Sequence, residues 1–139
     1  MLQVTGTIEA PTAVAWRLLT DTDAWPHWGP SVRAVDTPAS FIAAGMRGRV
    51  QTTPGPWLSF EITDWAEGTY WRWRVGGIPA TGHRVTPSAP QRCEITFTIP
   101  TWAPIYVPVC RLALRRLAAI AAADAQSSVR VIDRPRSRA

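Results

Sequence analysis

Residues 57–75 read WLSFEITDWAEGTYWRWRV. Two runs alternate apolar with polar side chains, and the residues AEG between them are turn chemistry. A period of two is the mark of a β-strand, and so short a link joins antiparallel neighbours. In the first run Leu58, Phe60 and Ile62 share a face. In the second, Trp71, Trp73 and Val75 oppose Tyr70, Arg72 and Arg74. A register slip of one residue would invert the second strand and turn Arg72 and Arg74 inward.

The same pattern extends in both directions. Upstream lie SVRAVDT (31–37) and GMRGRVQTT (45–53); downstream lie ATGHRVT (80–86) and RCEITFTI (92–99). The links PGP, GGIP and PSAPQ again belong to turns, so six strands follow one another as a meander. In the last, Cys93, Ile95, Phe97 and Ile99 form the inward set. Near the start, QVTGTIE (3–9) adds a seventh strand.

The remaining segments are helical. Pro11 suits a first turn, and the pairs Val14/Leu18 and Ala15/Leu19 have the spacing of one apolar face. TDTD (20–23) can cap a second short helix, which Pro26 and the pair Gly29-Pro30 stop at once. Trp25 and Trp28 ride that single turn on the same side. After Pro100 a long helix is expected over 105–124, with Tyr106, Cys110, Ala113, Leu114, Leu117, Ile120 and Ala121 on its apolar face. Arg111, Arg115 and Arg116 lie opposite, with Leu112 an apolar outlier among them, and Pro108 marks the helix start or a kink. From Ser127 the basic stretch SSVRVIDRPRSRA reads as a tail without regular structure.

This order predicts an α+β domain over 1–126. A curved antiparallel sheet of about seven strands wraps around the long C-terminal helix, two short helices follow strand 1, and residues 127–139 form the tail. Only the long helix is large enough to cover one face of the sheet, and curvature leaves a space between them.

Composition narrows the chemistry. Eight tryptophans in 139 residues, each able to remove about 150–250 Å² from water, exceed what so small a core needs. Either some are exposed or several line a cavity. All fifteen basic residues are arginine; lysine and asparagine are both absent, the pattern of GC-rich coding. The arginines are scattered, so the net charge of +5 does not argue for nucleic acid as the main partner. Without lysine there is no Schiff base, no pyridoxal anchor and no phosphate-loop lysine. Cys93, Cys110, His27 and His83 lack the spacing of a zinc site, so neither metal nor cofactor is expected. No run reaches the ~18 apolar residues of a membrane span, no secretory signal is visible, and a cytoplasmic protein is the expectation.

The stretch IEAPTAVAWRLLTDTDAWPHWGPSVRAV (8–35) resembles the opening of the SRPBCC superfamily of helix-grip domains. GMRGRV, FEITDWAEGTYWRWRV, ATGHRVTP and the closing amphipathic helix are similar to that family in order and spacing, over about 3–125. The superfamily groups START-type lipid-transfer domains, birch-pollen-allergen-like proteins and bacterial polyketide cyclase/dehydrase-like proteins. The resemblance implies a bacterial helix-grip domain whose two short helices form a V closing one end of a cavity, with Trp25 and Trp28 as plug or gate. It is specific for fold and silent on activity.

On this reading Phe60, Trp71, Trp73, His83, Phe97, Tyr106 and Leu114 enclose an aromatic pocket for a hydrophobic small molecule such as a lipid or polyketide. His83, which shares a face with Thr81 and Val85, and Tyr106 are the candidate proton carriers if the domain is an aromatase/cyclase-type enzyme that folds and dehydrates a poly-ketone chain. Glu61 and Asp64 do not form a catalytic carboxylate pair. A third reading is a protein-interaction module. Arg111, Arg115 and Arg116, with Arg130, Arg134, Arg136 and Arg138 of the tail, would suit peripheral contact with an anionic membrane.

Overall fold

Alternation in the sequence carries through to the backbone. The computed structural model describes residues 1–53 and 55–133, with side chains described through Asp124. The elements are β1 (Leu2–Ile8), α1 (Thr12–Thr20), α2 (Trp25–Trp28), β2 (Val32–Asp36), β3 (Arg47–Thr52), β4 (Trp57–Ala66), β5 (Tyr70–Val75), β6 (Ile78–Ala89), β7 (Arg92–Ile99) and α3 (Tyr106–Asp133). The seven strands form one sheet in the order β1-β7-β6-β5-β4-β3-β2, every pair antiparallel. This is the helix-grip arrangement. β1 returns beside the last strand, so the helical segment between β1 and β2 spans the two open edges of the sheet.

Two prolines sit inside β6, a strand paired on both sides, although proline removes a ladder donor. Both coincide with breaks in register. Pro79 lies opposite the shift between Arg72 and Arg74, and Pro87 opens the shift before Ala89. β5 and β6 are joined by Gly76 and Gly77, whose φ of 58° and 77° meet the demand of a two-residue hairpin for left-handed backbone at both positions. That tight turn brings Ile78 to the end of the sheet.

Helix α3 begins as the sequence suggests and runs longer than expected at its other end. Pro108 falls in its first turn, where no N–H partner is needed, so it marks the start and not a kink. The helix runs on to Asp133, well past Ser127, because the alanine-rich stretch before it is strongly helix-forming. Residues 134–139 of the expected tail lie outside the described residues. The buried side of α3 is Cys110, Ala113, Leu114, Leu117 and Ala121, and it packs on β1, β7, α1 and α2. The core continues through Ile8, Leu19, Ile62, Ile95 and Ile99, each at most 1% exposed.

Gly48 is a point of close approach within the sheet. A Cβ there would lie 2.8 Å from the Asp36 carbonyl oxygen and 2.9 Å from the Phe60 ring. The carbonyl belongs to a paired strand and cannot rotate away. Gly48→Ala is therefore expected to destabilise the domain by about 1–3 kcal/mol, read as a lower urea midpoint at unchanged slope. A variant as stable as the parent would show that β2 yields freely here.

Candidate functional site

The V of α1 and α2 explains why two tryptophans stand at a helix break. The last carbonyls of a helix have no intrahelical donor. Here the Trp28 indole N–H donates to the Leu18 carbonyl and the Trp25 indole N–H to the Leu19 carbonyl, each at 2.9 Å. The Asp21 and Ile42 backbone N–H groups donate to the Arg17 and Thr20 carbonyls at 2.9 and 3.0 Å. The C-terminal turn of α1 is thus fully satisfied, half of it by rings that also face the sheet. Trp25 is 1% and Trp28 7% exposed.

Between these helices, α3 and the concave face of the sheet lies a hollow of about 460 Å³. Its walls include Trp25, Trp28, Trp71, Trp73, His83 and Phe97, and Trp102, Tyr106 and Ile78 stand at its mouth. Among the described residues the lining contains no Asp, Glu, Lys or Arg. The volume falls within the range of small-molecule sites, and apolar walls with a few polar groups are their usual makeup. Trp71 is sandwiched between Trp25, at 5.5 Å and 12° between ring planes, and His83, at 3.8 Å and 20°. Trp73 meets both Trp25 and Trp71 edge-on. Among the described residues, Trp71 alone of the four indoles Trp25, Trp28, Trp71 and Trp73 has a buried N–H without a partner.

One polar chain crosses the wall. Trp73 Nε1–H donates to Thr81 Oγ1 at 3.2 Å, and Thr81 Oγ1 lies 3.2 Å from His83 Nε2. His83 Nδ1 lies 3.3 Å from the Trp71 carbonyl oxygen, which only accepts, so this ring nitrogen carries the proton. Nε2 is then an acceptor for the Thr81 hydroxyl. Both nitrogens are engaged and the imidazole is neutral. Burial drives its pKa down to about 3, against a smaller opposing effect of the Trp71 carbonyl. Burial also raises the Cys110 thiol to about 11, so this lining residue stays uncharged as well.

Five of the seven residues expected to form the pocket line the hollow: Trp71, Trp73, His83, Phe97 and Tyr106. Two do not. Phe60 points inward but is packed beneath Trp25 and Trp73, with centroids at 5.7 and 5.5 Å. Leu114 sits over β1, where a Cβ on Gly6 would come within 3.2 Å of its own Cβ, so it closes the helix onto the sheet edge. Arg74 is exposed on the convex side, and Arg72 on that same side reaches Met1 Sδ at 3.4 Å. The mouth residues Trp102 and Ile78 were missed by pattern reasoning, although both lie in charge-free runs of sequence.

A second concavity, of about 730 Å³, opens broadly on the convex side among Asp36, Arg47, Arg49, Glu61 and Arg74. Its charges are largely spent on each other: Arg49 meets Asp36 at 2.8 Å and Arg47 meets Glu61 at 3.6 Å. The hollow is the better candidate, being walled by rigid aromatic rings. Among the described residues no group of three or more His, Cys, Asp or Glu is placed to hold a metal ion.

Fold and hollow together define a helix-grip domain with an apolar interior. The sequence profile of the family described as polyketide cyclase / dehydrase and lipid transport matches residues 1–128, and the chain belongs to that family. No curated protein matches it at a significant level. Its backbone is similar to that of a Thermobifida fusca protein solved by NMR, with a TM-score of 0.66 at 18% identity over 86% of this chain and 91% of that one. It is similar also to an uncharacterized protein of Bacillus thuringiensis, with a TM-score of 0.65 at 10% identity over 86% and 96%. A conserved protein of unknown function from Enterococcus faecalis gives a TM-score of 0.63 at 19% identity over 85% and 68%. At such identities these likenesses speak to the fold alone.

Proposed function

We propose that this domain binds a neutral, hydrophobic small molecule in the hollow, as a carrier or sequestering protein without chemistry of its own. The observation that carries this reading is the uncharged aromatic lining. An ionised ligand would enter without a counter-charge, at a steep desolvation cost. A neutral chain would exchange water for indole faces, and an aromatic ring would add about 0.5–1.5 kcal/mol per ring pair beyond area burial.

His83 supports the non-catalytic reading over the cyclase/dehydrase alternative. A general acid or base works best when its pKa lies near the working pH. His83 is held neutral down to about pH 3 with both ring nitrogens occupied, which suits a wall residue. Tyr106 is 40% exposed at the mouth, and among the described residues of the lining the one base is that same histidine.

The test is native mass spectrometry of protein purified from its own host, with displacement of an apolar dye as the solution readout. Co-purifying neutral lipids or polyketides, and dye release by them, are expected. Ala113→Phe places a ring into the space that Ala113 now borders and is expected to lower dye affinity at least tenfold with the fold intact. Undiminished dye binding in that variant would remove the hollow as the site. Turnover of a poly-ketone analogue by the parent would favour the enzymatic alternative.

A further inference from the structure

The mouth end of the domain differs electrically from the rest of the molecule. β1, β2, β4 and β6 begin there, β3, β5 and β7 end there, and α3 starts there. The segments that build it, residues 50–53, 55–60, 75–82 and 95–110, contain no Asp, Glu, Lys or Arg. Large apolar side chains stand out from it into solvent: Ile105 is 77%, Trp102 63%, Ile78 53% and Tyr106 40% exposed. Scattered exposed apolar residues need no explanation, but a cluster at the opening of an apolar hollow does.

Behind this tip, among the described residues, stand arginines without an acidic partner. Arg33 follows the first residue of β2, and Arg111 and Arg115 project from the outer face of α3. Among the described residues none of the three is within salt-bridge distance of an acid. Glu9, Asp36, Glu67 and Glu94 lie at the opposite ends of β1, β2, β4 and β7. Glu61, midway along the sheet, is held by Arg47.

We propose that the domain docks mouth-first on a lipid bilayer bearing anionic headgroups. Trp102, Ile105 and Ile78 enter the headgroup–acyl boundary, and Arg33, Arg111 and Arg115 meet the surface charge. Indole and phenol rings favour that boundary, which admits an apolar face to a depth of about 5–10 Å. Orientation follows from the separation of charge along the strands: an approach by the opposite end would present Glu9, Asp36, Glu67 and Glu94 to the membrane. In this pose the hollow opens directly onto the acyl region, so a neutral lipid-soluble molecule passes between them without crossing water. The docking surface itself does not depend on the hollow being occupied.

The test is flotation of the full chain with vesicles of phosphatidylcholine alone and of phosphatidylcholine mixed with phosphatidylglycerol. Binding to the mixed vesicles is expected, weakening as salt is added. Trp102→Ser with Ile105→Ser should cut partitioning at least tenfold while circular dichroism stays that of the parent. Arg33→Gln with Arg111→Gln should cut it by about fivefold per arginine and flatten the salt dependence. Three results would overturn the proposal: no flotation with either vesicle, flotation undiminished in the Trp102/Ile105 variant, or a solution mass of two chains that falls to one in that variant. The last would assign the patch to a second copy. None of these outcomes bears on dye binding in the hollow, so the two readings fail separately.

Discussion

Replacing Trp25 with alanine should cost about 3–5 kcal/mol of folding stability, a large share of the roughly 5–15 kcal/mol that holds a domain of this kind together. The ring is 1% exposed and lies against Phe60, Trp71 and Trp73 with centroids 5.3–5.7 Å away. Its N–H also closes the end of α1. The two contributions separate by substitution. Trp25→Phe keeps most of the apolar contact but leaves the buried Leu19 carbonyl without its donor, and should cost about 1–3 kcal/mol. Equilibrium urea unfolding of both variants reads the difference. A loss below about 1 kcal/mol for the alanine variant would mean the indole is a movable gate and not a fixed wall of the hollow.

Acid should weaken the domain, and His83 should account for much of the effect. The unfolded chain protonates this histidine near pH 6.5, whereas in the folded protein burial lowers the pKa to about 3. Between these values the unfolded state binds the extra proton. The stabilisation is therefore complete above about pH 6.5 and is lost as pH falls toward 3. From pH 7 to pH 5 the loss is about 2 kcal/mol. His83→Phe retains a ring to stack on Trp71 but cannot titrate. It should start less stable, because the Thr81 hydroxyl and Trp71 carbonyl lose their partner, yet it should lack this part of the pH dependence. Unfolding curves at pH 7 and pH 5 for both proteins decide it: parallel losses would show that His83 is hydrated in the folded state.

Much of the architecture was legible in the chain because alternation is a local property. The inward sets Trp71/Trp73 and Cys93/Ile95/Phe97/Ile99 follow from period two alone, and the packed structure keeps them. What alternation cannot reveal is depth along a strand. Phe60 and Trp73 share the concave face, yet one lies beneath the aromatic layer and the other borders space, a difference set by which tryptophan leans over which strand. Leu114 was misplaced for a related reason: helical spacing shows that it is buried, while the missing side chain at Gly6 decides what it is buried against. The Trp73–Thr81–His83 chain depends on a pairing across β5 and β6 whose register shifts between Arg72 and Arg74, opposite Pro79. No periodicity records such a shift. The length of α3 was underread because serines in a basic run suggest a tail, whereas the helix carries its geometry through them.

The stacked indoles have an optical consequence. Trp71 lies nearly parallel to Trp25 and almost perpendicular to Trp73, with both centroids under 6 Å away. Transition dipoles that close couple, so these three chromophores should absorb polarised ultraviolet light as a unit and give a split circular-dichroism band. Tilting any one ring would change its shape, so the protein carries a built-in label for events inside the hollow.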